Sequence, residues 1–160
     1  MPFIRYGAIK VFMPSFYEFF AGGGMARTGL GRAWKCEFAN DISPMKAAAY
    51  LRNFGNSDRI FARCDINDLD AENLPSRADL IWASFPCQDL SLAGAGKGLS
   101  GSRSGLIWSL LEITRKLKQQ GRGPKAIVLE NVVGLLNSKN GQDFYDILGG
   151  TSQGWVFARC

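Results

Sequence analysis

Phe16-Tyr17-Glu18-Phe19-Phe20-Ala21-Gly22-Gly23-Gly24 is a run of large residues, apolar but for Glu18, that breaks abruptly into three glycines. The run reads as a buried first strand over Phe16 to Phe20, and the glycines as the turn into a short helix through Met25 to Arg32. A glycine cluster between a first strand and its helix lets the backbone approach a ligand closely, at the carboxyl edge of a parallel sheet. The spacing is not G-x-G-x-x-G, so a pyrophosphate-binding turn is not indicated.

Outward from this turn, apolar runs alternate with helical patterns. Trp34 to Ala39 reads as a second strand, and Asn40-Asp41-Ile42-Ser43-Pro44 opens a helix to about Asn53. Ser43 stands at its N-cap and Pro44 at its first helical position. Arg59 to Arg63 reads as a third strand and Ala78 to Ser84 as a fourth. A glycine- and serine-rich loop from Leu92 to Gly105 is too long for a plain connector. An amphipathic helix from Leu106 to about Leu117, a buried fifth strand Ala126 to Leu129 and a helix around Asp143 to Leu148 follow. Gly154 to Ala158 looks like the start of a sixth strand, with no covering helix after it. This alternation predicts a single α/β domain with a mostly parallel, doubly wound sheet, truncated before its last strands.

Composition narrows the chemistry. The chain has 160 residues, 46% hydrophobic and 21% charged, in keeping with a soluble globular protein that buries a core without staples. No apolar run approaches the length of a membrane span, and Pro14 and Glu18 break the one stretch near the start that resembles a secretory signal. A cytoplasmic location is expected. The formal net charge of +5 suits a polyanionic partner, although charge alone favours the plainer reading of a soluble basic surface. There is no histidine, which excludes Ser-His-Asp and Cys-His catalysis within these residues. The four cysteines, Cys36, Cys64, Cys87 and Cys160, form no C-x-x-C pair, so no metal site is expected.

Acids stand where strand ends should be. Asp41, about twenty positions beyond the glycine turn, is placed to hold ribose hydroxyls, and Asp65 to accept from an adenine amino group. Each is also a plausible helix cap. Together with the turn they suit an adenosine without phosphates. Cys36 and Cys64 lie in apolar runs and are expected in the core. Cys87 differs: Asp79 to Ala83 runs into Phe85-Pro86-Cys87-Gln88, so Pro86 fixes the backbone just before a thiol at a strand tip. The fifth strand ends at Leu129-Glu130-Asn131-Val132, and neighbouring strand tips would bring Glu130 near Cys87. The ordinary alternative is that Glu130 caps the turn and Asn131 holds it.

Phe20-Ala21-Gly22-x-Gly24, Phe85-Pro86-Cys87-Gln88, Ser102-Arg103 with Leu106, and Glu130-Asn131-Val132 occur in this order, and together they resemble the catalytic domain of DNA (cytosine-5) methyltransferases. The resemblance runs from about Phe16 to Val132 and more loosely beyond. It implies a Rossmann-like fold that binds S-adenosyl-L-methionine and methylates carbon 5 of cytosine in DNA, in a restriction-modification or an orphan setting. Phe20, Gly22 and Gly24 would line the cofactor pocket, with Phe20 against the adenine. Asp41 would hold the ribose and Ile42 would pack on the adenine. Asp65 would accept from the adenine amino group with Ile66 beside it, and Pro86 and Leu106 would complete the wall. Cys87 would be the nucleophile and Glu130 would bind the flipped base. Gln88, Ser91, Arg103 and Asn131 would contact the DNA, within or beside a loop that closes over the base.

The sequence departs from that family by stopping before three parts: a pair of arginines, a target-recognition region and a returning helix. A fragment, one half of a split enzyme with a second chain supplying the recognition region, and a truncated relic all account for this. The chain alone is expected to methylate DNA weakly or not at all. A tRNA cytosine-5 methyltransferase and a catalytically silent cofactor- or DNA-binding module remain as alternatives.

Overall fold

Strong β-formers with buried side chains on both faces make a strand that only a parallel, helix-covered sheet accommodates. Ser15–Phe19 (β1) is such a strand: Phe16, Tyr17, Glu18 and Phe19 are all buried. The computed structural model describes residues 12–55, 59–75, 77–86 and 105–150. Within them β1 is followed by Met25–Leu30 (α1), Lys35–Asn40 (β2), Pro44–Phe54 (α2), Phe61–Ala62 (β3) and Leu80–Ala83 (β4). Leu106–Gln119 (α3), Ala126–Leu129 (β5), Gly134–Asn137 (α4) and Gln142–Gly150 (α5) complete the described elements. The strands are ordered β3-β2-β1-β4-β5 and every pairing is parallel. The order therefore reverses between β1 and β4, and the carboxyl ends of those two strands flank the crevice where such sheets bind ligands.

One face of the sheet carries Tyr17, Phe19, Ile81 and Ile127 against Ile107, Leu110 and Leu117 of α3 and Ile147 of α5. Their spacing in α3 is that of one helical stripe, which is why this segment is a helix and why it lies here. The other face carries Phe16, Cys36, Ala39 and Leu80 against Tyr50 of α2. Each fully buried large side chain contributes about 1.5–3 kcal/mol. Local signals fix the ends of α2: Ser43 Oγ accepts from Lys46 N, Pro44 opens the helix, and Gly55 ends it at φ 71°. Before β4, Arg122 Nη2 donates to Ala71 O at 2.6 Å and Nη1 donates to Leu74 O and Pro75 O at 3.1 Å, holding that connection to the far edge of the sheet.

Several expectations change. Phe20 does not end the first strand: at φ 56° it is already in the left-handed region and begins the turn. The helix after the glycines ends at Leu30, because Gly31 at φ 66° breaks it into a 3-10 turn over Gly31–Ala33. The third strand is only Phe61–Ala62, an edge strand paired through Ala39↔Phe61 and Asn40↔Ala62. Cys64, just past it, is consequently half-buried, whereas Cys36 is in the core as expected. α4 and the 3-10 turn Ser138–Gly141 were not foreseen. The expected sixth strand and most of the glycine-rich loop lie outside the described residues. Among the described residues no helix is long and apolar enough to cross a membrane.

Candidate active site

The turn after β1 is folded by its neighbours. Ala21 N donates to Asn40 O at 2.8 Å, Gly24 N to Ala21 O at 2.8 Å, and Phe20 N to Asn40 Oδ1 at 3.4 Å. Asn40 Nδ2 in turn donates to Cys64 O at 3.2 Å, so one buried amide joins the ends of three successive strand segments. Gly22 and Gly24 sit at φ 55° and 83°, where a side chain is strained, and a Cβ on Gly24 would lie 2.2 Å from Phe54 Cε2.

Asp41 is buried at the tip of β2. Its Oδ2 accepts from Gly22 N at 3.0 Å, its Oδ1 from Ser43 N at 2.9 Å, and Lys46 Nζ stands 3.6 Å from Oδ2. The carboxylate thus braces the glycine turn against the start of α2. Ile42 beside it is 60% exposed, an apolar side chain left open at the carboxyl edge of the sheet. Asp65 caps the 3-10 turn Ile66–Asp68 through Oδ1, which accepts from Asn67 N at 2.9 Å. Ile66 is only 2% exposed and belongs to the core. Leu106 is half-buried and packs against the same core. Pro86 is half-buried beyond the tip of β4.

At the other side of the switch point, the β4–β5 ladder runs from Leu80↔Ala126 to Ala83↔Leu129 and closes with Glu130 N donating to Ala83 O at 2.9 Å. Glu130 is half-buried and lines a cavity of about 430 Å³ with Met25, Ala26, Gly29, Leu30, Trp82 and Ser84. Trp82 Nε1 donates to Ser84 Oγ at 3.2 Å. Asn131 Nδ2 donates to Phe85 O at 2.9 Å and its Oδ1 accepts from Val132 N at 2.9 Å. The tips carrying Pro86 and Glu130 are therefore tied together. Cys87, Gln88, Ser91 and Arg103 lie outside the described residues. Among the described residues no cluster of three or more His, Cys, Asp or Glu could hold a metal ion.

Glu18 was not foreseen as part of the site. It is 1% exposed near the carboxyl end of β1, in register with Trp82 of β4. Its Oε1 accepts from Ala26 N at 3.1 Å and Arg27 N at 3.3 Å, two amides in the first turn of α1. Its Oε2 is the one buried side-chain oxygen or nitrogen among the described residues without a hydrogen-bond partner. Burial pushes its pKa up to about 7, against the pull of those two amides and the Arg27 charge. The Arg27 guanidinium lies 4.3 Å from the centre of the Phe54 ring and donates to Tyr50 Oη at 3.1 Å, packing α1 onto α2. The signal for Glu18 was present in the sequence as an acid inside an otherwise apolar strand that both faces of the sheet must bury.

Comparison with known proteins places this geometry. The family model described as C-5 cytosine-specific DNA methylase matches residues 14–152. The chain is 33% identical over 135 residues to the type II methyltransferase M.BsuFI of Bacillus subtilis, covering 84% of this chain and 31% of that protein. It is 37% identical over 124 residues to M2.BsuMI of Bacillus subtilis strain 168, covering 77% and 30%. It is 35% identical over 129 residues to M.HaeII of Haemophilus aegyptius, covering 79% and 37%. The chain thus spans about a third of the length of these relatives. Among solved structures, the S. pombe Dnmt2 methyltransferase superposes with a TM-score of 0.63 at 23% identity, over 85% of this chain and 41% of that one, and so shares the fold.

Proposed function

The chain belongs to the C-5 cytosine-specific DNA methylase family, and we propose that it binds S-adenosyl-L-methionine and methylates carbon 5 of cytosine in DNA through a covalent adduct at Cys87. The observation that carries this reading is the closure of the β4–β5 ladder on Glu130, whose amide bonds Ala83 O at 2.9 Å beside the tip that leads through Phe85 and Pro86 to Cys87.

The residues at the crevice fit the cofactor's chemistry. Glu18 Oε2, buried and without a partner, is an acceptor for an ammonium such as the methionine moiety carries. The turn Phe20–Gly24 gives close backbone approach, with Gly22 and Gly24 in conformations that a side chain would strain. Asp41 keeps lone pairs beyond those used by Gly22 and Ser43 and takes the ribose hydroxyls. Ile42 offers its exposed side chain to the adenine face, with Phe20 on the other side, while Asp65 accepts from the adenine amino group. Pro86 and Leu106 close the wall, and Ile66 supports it from the core. When bound, the cofactor supplies a sulfonium methyl group.

This chain's residues then act on the base. Carbon 5 of cytosine is a poor nucleophile inside a stacked duplex, so the base is flipped out. The Cys87 thiolate adds to carbon 6, making carbon 5 electron-rich. Glu130 binds the ring nitrogen and amino edge and stabilises the charge that develops there. Loss of the carbon 5 proton afterwards breaks the Cys87–carbon 6 bond. Gln88, Ser91 and Arg103 contact the DNA around the flipped base. Reading of the DNA sequence is assigned to the part of the relatives that these residues do not span, on a continuing or a separate chain. A cytoplasmic, restriction-modification setting goes with this reading.

Calorimetric titration with S-adenosyl-L-methionine tests the cofactor half. One site is expected, kept in Cys87→Ser, and absence of binding contradicts it. Product analysis tests the chemical half. After incubation with tritiated cofactor and unmethylated duplex DNA, label appears, at low yield, only as 5-methylcytosine; label at any other position contradicts it.

A further inference from the structure

Phe20 is a bulky residue in a backbone conformation that bulky residues avoid. Its φ of 56° lies in the left-handed region, where the Cβ crowds the following carbonyl oxygen. Such strain persists only where the surroundings over-determine it, and it clusters at binding sites. Here it is held by Asn40, 1% exposed at the last position of β2, level with Phe19 on one side and Ala62 on the other. The Asn40 main-chain carbonyl accepts from Ala21 N at 2.8 Å, and its Oδ1 accepts from Phe20 N at 3.4 Å. Both peptide groups that flank Phe20 are therefore bonded to one residue. The other end of the side-chain amide, Nδ2, donates to Cys64 O at 3.2 Å. That carbonyl belongs to the peptide group whose nitrogen is that of Asp65, so the same amide also holds the backbone at Asp65. Flipping the amide would set a donor against Phe20 N–H and an acceptor against Cys64 O, so its orientation is fixed. Asp65 steadies its own side chain through Oδ1, which accepts from Asn67 N at 2.9 Å, and its carboxylate keeps lone pairs beyond that bond.

We propose that Asn40 is a positioning residue that sets adenine specificity: its buried amide holds Phe20, the stacking face for the adenine, and Asp65, the acceptor for its amino group, at a fixed separation. This rests on the functional reading above and adds to it a buried residue that acts through two others. The reason is geometric. A ring stacked on a purine tolerates sliding, whereas a hydrogen bond weakens steeply once its length and angle depart from the ideal. An amino group is read only where acceptor and stacking face are held to each other. Phe20 and Asp65 follow β1 and β3, which do not pair with each other; β2 lies between them, and Asn40 at its tip bonds to both sides. Asn40→Ser stays polar but is too short to span the two, and Asn40→Leu keeps the volume without either bond.

The test is calorimetric titration of the whole chain with S-adenosyl-L-homocysteine and with S-inosyl-L-homocysteine, in which a carbonyl oxygen stands where the adenine amino group was. The wild type is expected to bind the adenosyl compound roughly tenfold to a hundredfold more tightly, the worth of a hydrogen bond to a charged group. In Asn40→Ser and Asn40→Leu that ratio should approach one, with the thermal transition of the folded chain retained. In Asp65→Ala the ratio is already near one, and adding Asn40→Ser should change it no further, because the two act through one contact. A ratio kept at its wild-type value in the Asn40 variants, whether or not affinity for both compounds falls, marks a merely structural role and overturns the proposal. Loss of the folded state in both variants overturns it in the same way. Equal affinities in the wild type overturn it too, while leaving cofactor binding in place. No binding of either compound to the wild type overturns the functional reading itself and the role of Asn40 with it.

Discussion

Glu18 spends its burial on a charge that the sheet disfavours. Its carboxyl titrates near 7 in the folded protein because burial outweighs the two α1 amides that it accepts from. The unfolded chain, with an ordinary glutamate near 4.5, releases that proton earlier. Between about pH 4.5 and 7 the folded state therefore holds more protons than the unfolded one, and stability falls as pH rises across that window. At about 1.4 kcal/mol per pH unit the fall is at most ~3 kcal/mol. Glu18→Gln stays neutral and still offers an oxygen to Ala26 and Arg27, so it should flatten this limb. Urea unfolding at pH 5 and pH 8 checks it; an unchanged slope in the variant would place the titration elsewhere. Glu18 was hard to read as functional from the sequence because one acid in an apolar strand looks the same whether it faces solvent or a ligand. Asp41 was legible, yet hydrogen bonds to Gly22 and Ser43 also give it the bracing role that any capping aspartate has.

At the level of elements, the β1–α1 turn and α2 are built as a fitted pair. Gly24, at φ 83°, leaves room for Phe54 and Tyr50, with Arg27 lying over the Phe54 ring. A Cβ there meets Phe54 Cε2 at 2.2 Å and Tyr50 Cε2 at 3.0 Å, whereas a Cβ on Gly22, at φ 55°, meets nothing within 4 Å. Gly22→Ala should cost about 1–2 kcal/mol, the conformational strain alone. Gly24→Ala adds overpacking and should cost about 2–5 kcal/mol. Denaturant unfolding of the two variants side by side measures the difference, and equal losses would mean that α2 yields freely. Strands and long helices were legible because their apolar periods are strong and their caps local, as Ser43 and Pro44 show for α2. The segment 134–141 was not. Gly134-Leu135-Leu136-Asn137 is too short for periodicity, and Lys139 at φ 46° goes against its residue preference, although Asn140 at φ 56° is of a type that visits the left-handed region. The third strand shrank because an edge strand has one neighbour only.

For the whole molecule, strand order decides where chemistry can occur. The reversal between β1 and β4 gathers the glycine turn, Asp41, Glu18, Pro86 and Glu130 at one edge, although they are scattered from residue 18 to residue 130. The alternation of strand and helix made this edge legible, and the short motifs made its chemistry legible. The contact between the β4 and β5 tips beyond Ala83 was not, because a side chain makes it, Asn131 Nδ2 donating to Phe85 O. The chain spans about a third of its relatives' length, so the most direct test isolates the chemistry from sequence reading. Single-stranded DNA spares the cost of extruding the base, and the 5-fluorocytosine adduct accumulates even when turnover is slow. Peptide mass spectrometry after incubation with a single-stranded 5-fluorocytosine oligonucleotide and S-adenosyl-L-methionine should find the oligonucleotide on the peptide containing Cys87, and on none in Cys87→Ser. An adduct on Cys36, Cys64 or Cys160, or none from protein that binds the cofactor, would contradict the assignment of Cys87 as the nucleophile.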